Sequence, residues 1–180
     1  NKFVMVSSPD RHLVAFGAHD GSNNDPLLIA WATQESLTTW TPSATNTAGN
    51  QRLPLGDRLI AKVQTKEQTL VWTDSALFGM SFTGPPFVFT FRTLSTGSSP
   101  IGQNAALGVD GVVYWMSKDN FHVYNGRSQV VPSPVRDFVF NDLNVSLSPL
   151  VHAGLNSRFT EIWWHYPSIS SLSTTDKYVT

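Results

Sequence analysis

The stretch from Gly111 to Asn144 constrains this chain more than any other. It opens G-V-V-Y-W-M-S-K-D-N-F-H-V-Y-N-G-R and continues S-Q-V-V-P-S-P-V-R-D-F-V-F-N-D-L-N. Val112 to Met116 form a short apolar run rich in β-branched and aromatic residues, Lys118-Asp119-Asn120 turn the chain, and Phe121 to Tyr124 bring it back. Asn125-Gly126 then turns it again, and both residues tolerate the positive φ that a tight hairpin demands. The unit recurs. Leu70-Val71-Trp72-Thr73-Asp74 matches Val113-Tyr114-Trp115-Met116-Ser117, and both match Ile162-Trp163-Trp164-His165-Tyr166. The tryptophans stand 43 and 49 residues apart, and Leu13-Val14-Ala15-Phe16 is an earlier, weaker copy 56 residues before Trp72. Such spacings fit the four-stranded blades of a β-propeller.

Strand candidates fall around each copy. Arg58–Gln64, Asn104–Val109 and Leu150–Leu155 precede the tryptophan strands. Leu77–Phe82 and Phe121–Tyr124 follow them, with fourth strands at Phe87–Arg92 and Ser128–Val131. In the first copy Leu27–Ala32 supplies the third strand, and Leu37–Trp40 lies in or beside the fourth. Nowhere do apolar residues recur with helical period over three turns. The expected fold is all-β, a propeller-like repeat of antiparallel blades. Residues 1-167 hold the blades (1-52, 53-101, 102-146 and a partial 147-167), and 168-180 form a polar tail or the start of a further segment. Three and a half blades do not close a ring, so the chain is expected to be a segment of a longer polypeptide or to be completed by identical copies.

Composition narrows the function classes. Of 180 residues, 14% are charged and the net charge is -1, so the basic footprint of a nucleic-acid binder is missing. No apolar run reaches the roughly 18 residues of a membrane span, and Lys2 is followed by only four apolar residues before Ser7-Ser8-Pro9-Asp10, so a signal peptide is not expected there. With no cysteine there is no disulfide, thiolate metal site or cysteine nucleophile. Six Trp and eleven Phe predict crowded aromatic packing between strands.

The common nucleotide-binding, hydrolase and metalloprotease motifs do not occur. His12, His19, His122, His152 and His165 are dispersed, none at metal-ligand spacing from another. Asp20, Ser22 and Asn24 alternate like calcium ligands, but Asp25 occupies the glycine position and Trp31 that of the closing acid, which leaves a polar hairpin loop. Thr33 to Trp40 resembles a degenerate Asp-box turn, with Glu35 for the acid and Leu37 for the glycine. That turn is structural where it occurs on propeller blades. The seven arginines share no common blade position, as a sialidase would require. Asp110, Asp119, Asp137 and Asp142 flank strands as turn residues rather than as a catalytic pair. Trp163 and Trp164 must point to opposite sheet faces; both are expected to be buried, one on each side of a sandwiched blade. Asn144-Val145-Ser146 fits a glycosylation sequon by a single short match. No catalytic residue, cofactor or metal site is expected.

Val113 to Arg127 and Pro132 to Asn144 together resemble virion structural proteins of tailed bacteriophages. The shared strings have the form W-x-x-x-D-x-F-x-V-Y-x-G-R and V-R-D-Y-V-F-x-D-x-N, with Phe138 here in place of the Tyr, and they occur in nozzle or stopper proteins of short-tailed phages. The similarity runs over Val113 to Asn144, 32 of 180 residues, with a weak echo over Gly56–Phe91. It implies a non-enzymatic tail protein of the virion, a cyclic homo-oligomer that contacts other tail proteins and forms part of the DNA-exit conduit. DNA would pass transiently, without sequence-specific binding or a membrane span. Val135 to Phe140 would be a strand linking blades, with Phe138 and Phe140 on one face and Arg136 free to pair with an acid. Two competitors remain: a phage-borne host-surface carbohydrate-binding module using Trp31, Trp40, Trp163 or Trp164, and a propeller glycosidase.

Overall fold

The computed structural model describes residues 2–180. It contains four antiparallel sheets, each built from strands consecutive in sequence. The first holds β1 (Phe3–Val6), β2 (Leu13–Phe16), β3 (Leu28–Trp31) and β4 (Gly49–Arg52), in that order. The second holds β5 (Leu59–Gln64), β6 (Thr69–Thr73), β7 (Ala76–Gly84) and β8 (Val88–Thr96). The third holds β9 (Ala106–Val109), β10 (Val112–Met116), β11 (Phe121–Tyr124) and β12 (Ser128–Val131). A short helix, α1 (Arg136–Asp142), and a 3-10 turn over Val145–Leu150 lead to the fourth sheet: β13 (His152–Asn156), β14 (Glu161–Tyr166) and β15 (Lys177–Val179). The architecture is the all-β, propeller-like arrangement of blades that the repeat predicts.

The blades pack face to face through three hydrophobic cores. Val14, Phe16, Ile29 and Trp31 of the first blade meet Val71, Phe78, Met80 and Phe89 of the second. Leu70 and Trp72 meet Val113, Trp115 and Tyr124. Met116 and Phe121 meet Val151, Trp164 and Tyr166, with Val139 and Leu143 sealing one end. Strand periodicity accounts for this: alternate residues of β6 and β10 serve opposite junctions, so both faces of the middle blades are buried. Each blade tryptophan also faces an alanine on the preceding strand: Ala61 opposite Trp72, Ala106 opposite Trp115, Ala153 opposite Trp164. The small partner leaves room for the indole.

Several sequence expectations are corrected. Leu37–Trp40 is loop, and the fourth strand of the first blade is β4, twelve residues after Leu37 at its start. Val135 to Phe140 does not form a linking strand, because Arg136–Asp142 is helical. Val139 and Leu143, four residues apart, share the buried face of that turn. Phe138 is left 68% exposed beneath Lys177 Nζ, 5.7 Å from its ring. Arg136 docks the helix by donating to the carbonyl of Asp119 at 2.8 Å and to Asn120 Oδ1 at 3.2 Å, and it pairs with Asp137 within the helix. A seven-residue helix is too short to show a period over three turns, and packing outweighs the β-propensity of its Phe and Val. Residues 168–180, expected to be a polar tail or the start of a further segment, contain β15, whose Tyr178 and Val179 pair with His165 and Trp164. β1 was likewise not expected; it pairs with β2 in perfect alternation, Phe3 and Met5 buried, Val4 and Val6 exposed.

The tryptophan alignment itself is displaced by one residue. Thr73 Oγ1 accepts the backbone N–H of Ala76 at 3.0 Å, and Ser117 Oγ accepts that of Asn120 at 3.1 Å. These hydroxyl-capped turns are the equivalent points of blades two and three, so Trp72 corresponds to Met116 rather than to Trp115. One residue of offset exchanges the faces of a strand. Trp72 therefore looks forward and Trp115 backward, and their rings meet edge to face at 5.3 Å across the junction.

Candidate functional site

The first strands of the blades approach a common centre. A cavity of about 730 Å³ there is lined from all four blades, by Lys2 and Val4, Lys62, Asn104 and Ala106, and His152 among others. Backbone bonding ties the last two blades at this point, with the N–H of Ala153 donating to the carbonyl of Asn104 at 2.8 Å. Lys2 Nζ donates to the carbonyl of Leu59. Burial, aided by repulsion from Arg58, pulls the pKa of Lys2 below its ordinary value, with Asp74 opposing.

Among the described residues, none of the hydrophobic clusters joins the fourth blade to the first. The backward face of blade one carries only Ala15, Ala18, Leu28 and Ala30 with Trp40 over them. The forward face of blade four carries His152, Trp163, His165 and Tyr178, all wholly or partly exposed. Beyond β15 the fourth blade has no further strand among the described residues.

The residues singled out from sequence fall into structural roles. Asp20 Oδ1 accepts the N–H groups of Ser22 and Asn23, both at 2.7 Å, and these bonds, Asn23 first, hold its pKa below the usual carboxylate value. Asp25 pairs with Arg52 at 2.7 Å, so the calcium-like loop spends its carboxylates on its own backbone and on a neighbouring strand. In the Asp-box-like turn, Ser36 Oγ accepts the N–H groups of Thr38 and Thr39, and Trp40 Nε1 donates to Leu37 O. Asp119 accepts from Ser117 Oγ, and Asp142 accepts from Lys177 Nζ and from the Tyr166 hydroxyl. Burial, together with Asp142, pushes the pKa of that hydroxyl up to about 12. Asn144 Oδ1 caps the 3-10 turn through the N–H of Ser146, and its amide donates to Ser171 O. The largely apolar cavity between blades three and four has Asp110 and Glu161 in its wall, and Glu161 Oε2 is held by Trp163 Nε1 at 2.9 Å. Of the four candidate tryptophans, Trp31 and Trp164 are buried, Trp40 is packed over blade one, and Trp163 stands on the open face of blade four. The expectation that both Trp163 and Trp164 would be buried therefore holds for Trp164 alone.

One constellation was not apparent in the sequence. His12, fully buried, places Nδ1 3.0 Å from Asp10 Oδ2 and Nε2 3.2 Å from Thr47 Oγ1, an acid, imidazole and hydroxyl in series. That order is the one used in nucleophilic catalysis. Here the hydroxyl also accepts the N–H of Gln34, and the imidazole lies against Phe82 and Phe89. The series fastens the long loop before β4 to the first hairpin. Thr47 lies 35 residues from His12, so only the fold brings them together. Asp10→Ala should leave the buried imidazole without its partner and lower stability by about 1–3 kcal/mol; urea denaturation of the two proteins checks this.

His122 supplies a pH dependence. Its ring stacks on Trp115 at 5.2 Å and 11°, with Nε2 3.1 Å from Ser117 Oγ. Burial lowers its pKa below the ordinary 6.5, with Asp119 opposing. The folded chain thus holds the ring neutral, while the unfolded chain takes a proton near 6.5. Its contribution to stability is complete above that value and drains as pH falls through the depressed folded pKa. Denaturation midpoints should fall with acidification below about pH 6.5, and His122→Phe should flatten that slope.

No protein-family model matches the chain, and no curated protein matches it.

Proposed function

We propose that this chain is a structural component of a tailed-bacteriophage tail, in the nozzle or head-to-tail region, acting by assembly rather than by catalysis. The observation that carries the reading is a four-blade array whose two end faces share no hydrophobic core, joined to the phage-like strings over Val113–Arg127 and Pro132–Asn144. A blade stack whose two end faces share no core suits a part held in place by neighbours. Copies of the chain would form a ring about the tail axis and contact other tail proteins. The net charge of -1 suits a conduit that lets DNA pass without retaining it. Cryo-electron microscopy of the virion carrying the chain tests this. The expected result is four-blade density repeated symmetrically around the tail axis; the chain found only as a free monomer outside the particle would overturn it.

A further inference from the structure

At the three internal junctions, the forward-facing positions of the second strand are Val14 and Phe16, Leu70 and Trp72, and Tyr114 and Met116, all packed against the next blade. The corresponding positions of β14 are Trp163 and His165. The character of the face changes here from interlocking aliphatic and aromatic side chains to flat rings interleaved with polar groups.

Two restraints hold the Trp163 indole. Its ring lies parallel to that of Tyr178, 4.7 Å away and tilted by only 6°, and its Nε1 donates to Glu161 Oε2 at 2.9 Å. Tyr178 belongs to β15, on one side of β14. On the other side, in β13, the residue paired with Trp163 is Gly154. A Cβ on Gly154 would meet no atom within 4 Å, so the missing side chain leaves open space beside the indole. A cavity of about 350 Å³ occurs there, with Gly154, Trp163 and His165 at its base and Asn156, Ser157 and Arg158 around it. His165 is itself stacked on His152 at 4.9 Å.

We propose that this slot binds one pyranose ring of a neutral oligosaccharide. The C–H face of a pyranose carries slightly positive hydrogens that suit the negative face of an indole. Its equatorial hydroxyls need donors and acceptors at the edge of the stack, and the cavity wall supplies Asn156, Ser157 and Arg158, the last with its guanidinium over the Phe159 ring. An indole already fixed by a ring partner and a carboxylate loses little freedom when a ligand arrives. Arg158 and Glu161 leave the slot without net charge, which favours a neutral sugar over an acidic one. A second copy of this chain is the weaker occupant, because Leu155 is the one aliphatic side chain in the slot, whereas every internal junction uses several. The inference does not depend on the tail reading and survives its failure.

Titration calorimetry of the whole chain with maltohexaose, cellohexaose and chitohexaose tests it. At least one should bind with a Kd of about 0.1–1 mM, as expected for one stacked ring with a few hydrogen bonds at its edge. Trp163→Ala should weaken that binding by about tenfold or more. Gly154→Leu should do the same by filling the slot, and the open space around Gly154 should leave its denaturation midpoint unchanged. Phe87→Ala, at an exposed ring on the β7–β8 turn of blade two, should bind as the parent does. Three results would each overturn the proposal: no heat from any of the three sugars at about 10 mM, binding that Gly154→Leu leaves intact, or a Gly154→Leu chain that binds nothing new but loses a self-associated species seen by light scattering in the parent.

Discussion

Trp115→Ala is expected to lower the free energy of unfolding by about 3–5 kcal/mol, as loss of a fully buried aromatic side chain does in a close-packed core. Trp115 has no exposed surface, meets the Trp72 ring edge to face, lies flat on His122, and donates its Nε1–H to the carbonyl of Ser98 at 2.5 Å. Truncation would empty the centre of the junction between blades two and three and strand a carbonyl. A pair of milder substitutions separates these causes. Trp115→Phe keeps most of the bulk but loses the bond to Ser98. Trp72→Phe loses an N–H that has no hydrogen-bond partner among the described residues. Trp115→Phe should therefore cost more than Trp72→Phe, because breaking a satisfied buried pair is worse than deleting an unsatisfied donor. Urea denaturation followed by far-ultraviolet circular dichroism measures all three. Equal losses for the two phenylalanine variants would show that the Ser98 bond contributes nothing.

The second large effect falls on Gly56. It sits at φ +104°, in a region that L side chains rarely adopt, and an added Cβ would lie 2.6 Å from the Thr73 side chain and 2.8 Å from Asp74 Oδ1. That carboxylate oxygen accepts the N–H of Asp57 at 2.9 Å and fastens the entry of blade two to the turn after β6. Gly56→Val combines backbone strain with overpacking, each typically costing about 1–3 kcal/mol. The expected sum of about 2–6 kcal/mol should appear as a large downward shift of the thermal midpoint. By contrast, Gly126→Ala, also at positive φ but with nothing within 4 Å, should show strain alone. If the two variants lost the same amount, the contact with Thr73 and Asp74 would be irrelevant.

Much of the fold was legible because each blade is made from strands consecutive in sequence. Apolar runs bounded by Gly, Asn and Asp mark β2, β3 and β5 to β14 in place, and the tryptophan repeat groups them. What escaped did so for identifiable reasons. β4 reads Gly-Asn-Gln-Arg, with no apolar side chain, and it is a strand because β3 supplies hydrogen bonds to it. β15 is similarly short and mostly exposed. The α1 segment carries strand-like residues but is bent into a helical turn by the core it seals. The one-residue displacement between Trp72 and Trp115 could not be seen from matching letters, although the Thr73 and Ser117 turns carried the information. As for the slot on blade four, the sequence offered four tryptophans. Burial separates Trp163 from Trp31 and Trp164, packing over blade one sets Trp40 apart, and only strand register places Trp163 beside Gly154.

The order of the strands has a consequence for the history of such a chain. Every sheet is a simple meander, and the blades are tied to one another by the cores between successive ones. Loop-closure costs are then paid in small instalments, and folding can spread from one blade to the next. A gene of this kind can gain or lose one repeat by duplication or deletion without redrawing the rest. The number of blades becomes a variable that selection can adjust, while the contacts within each blade are kept.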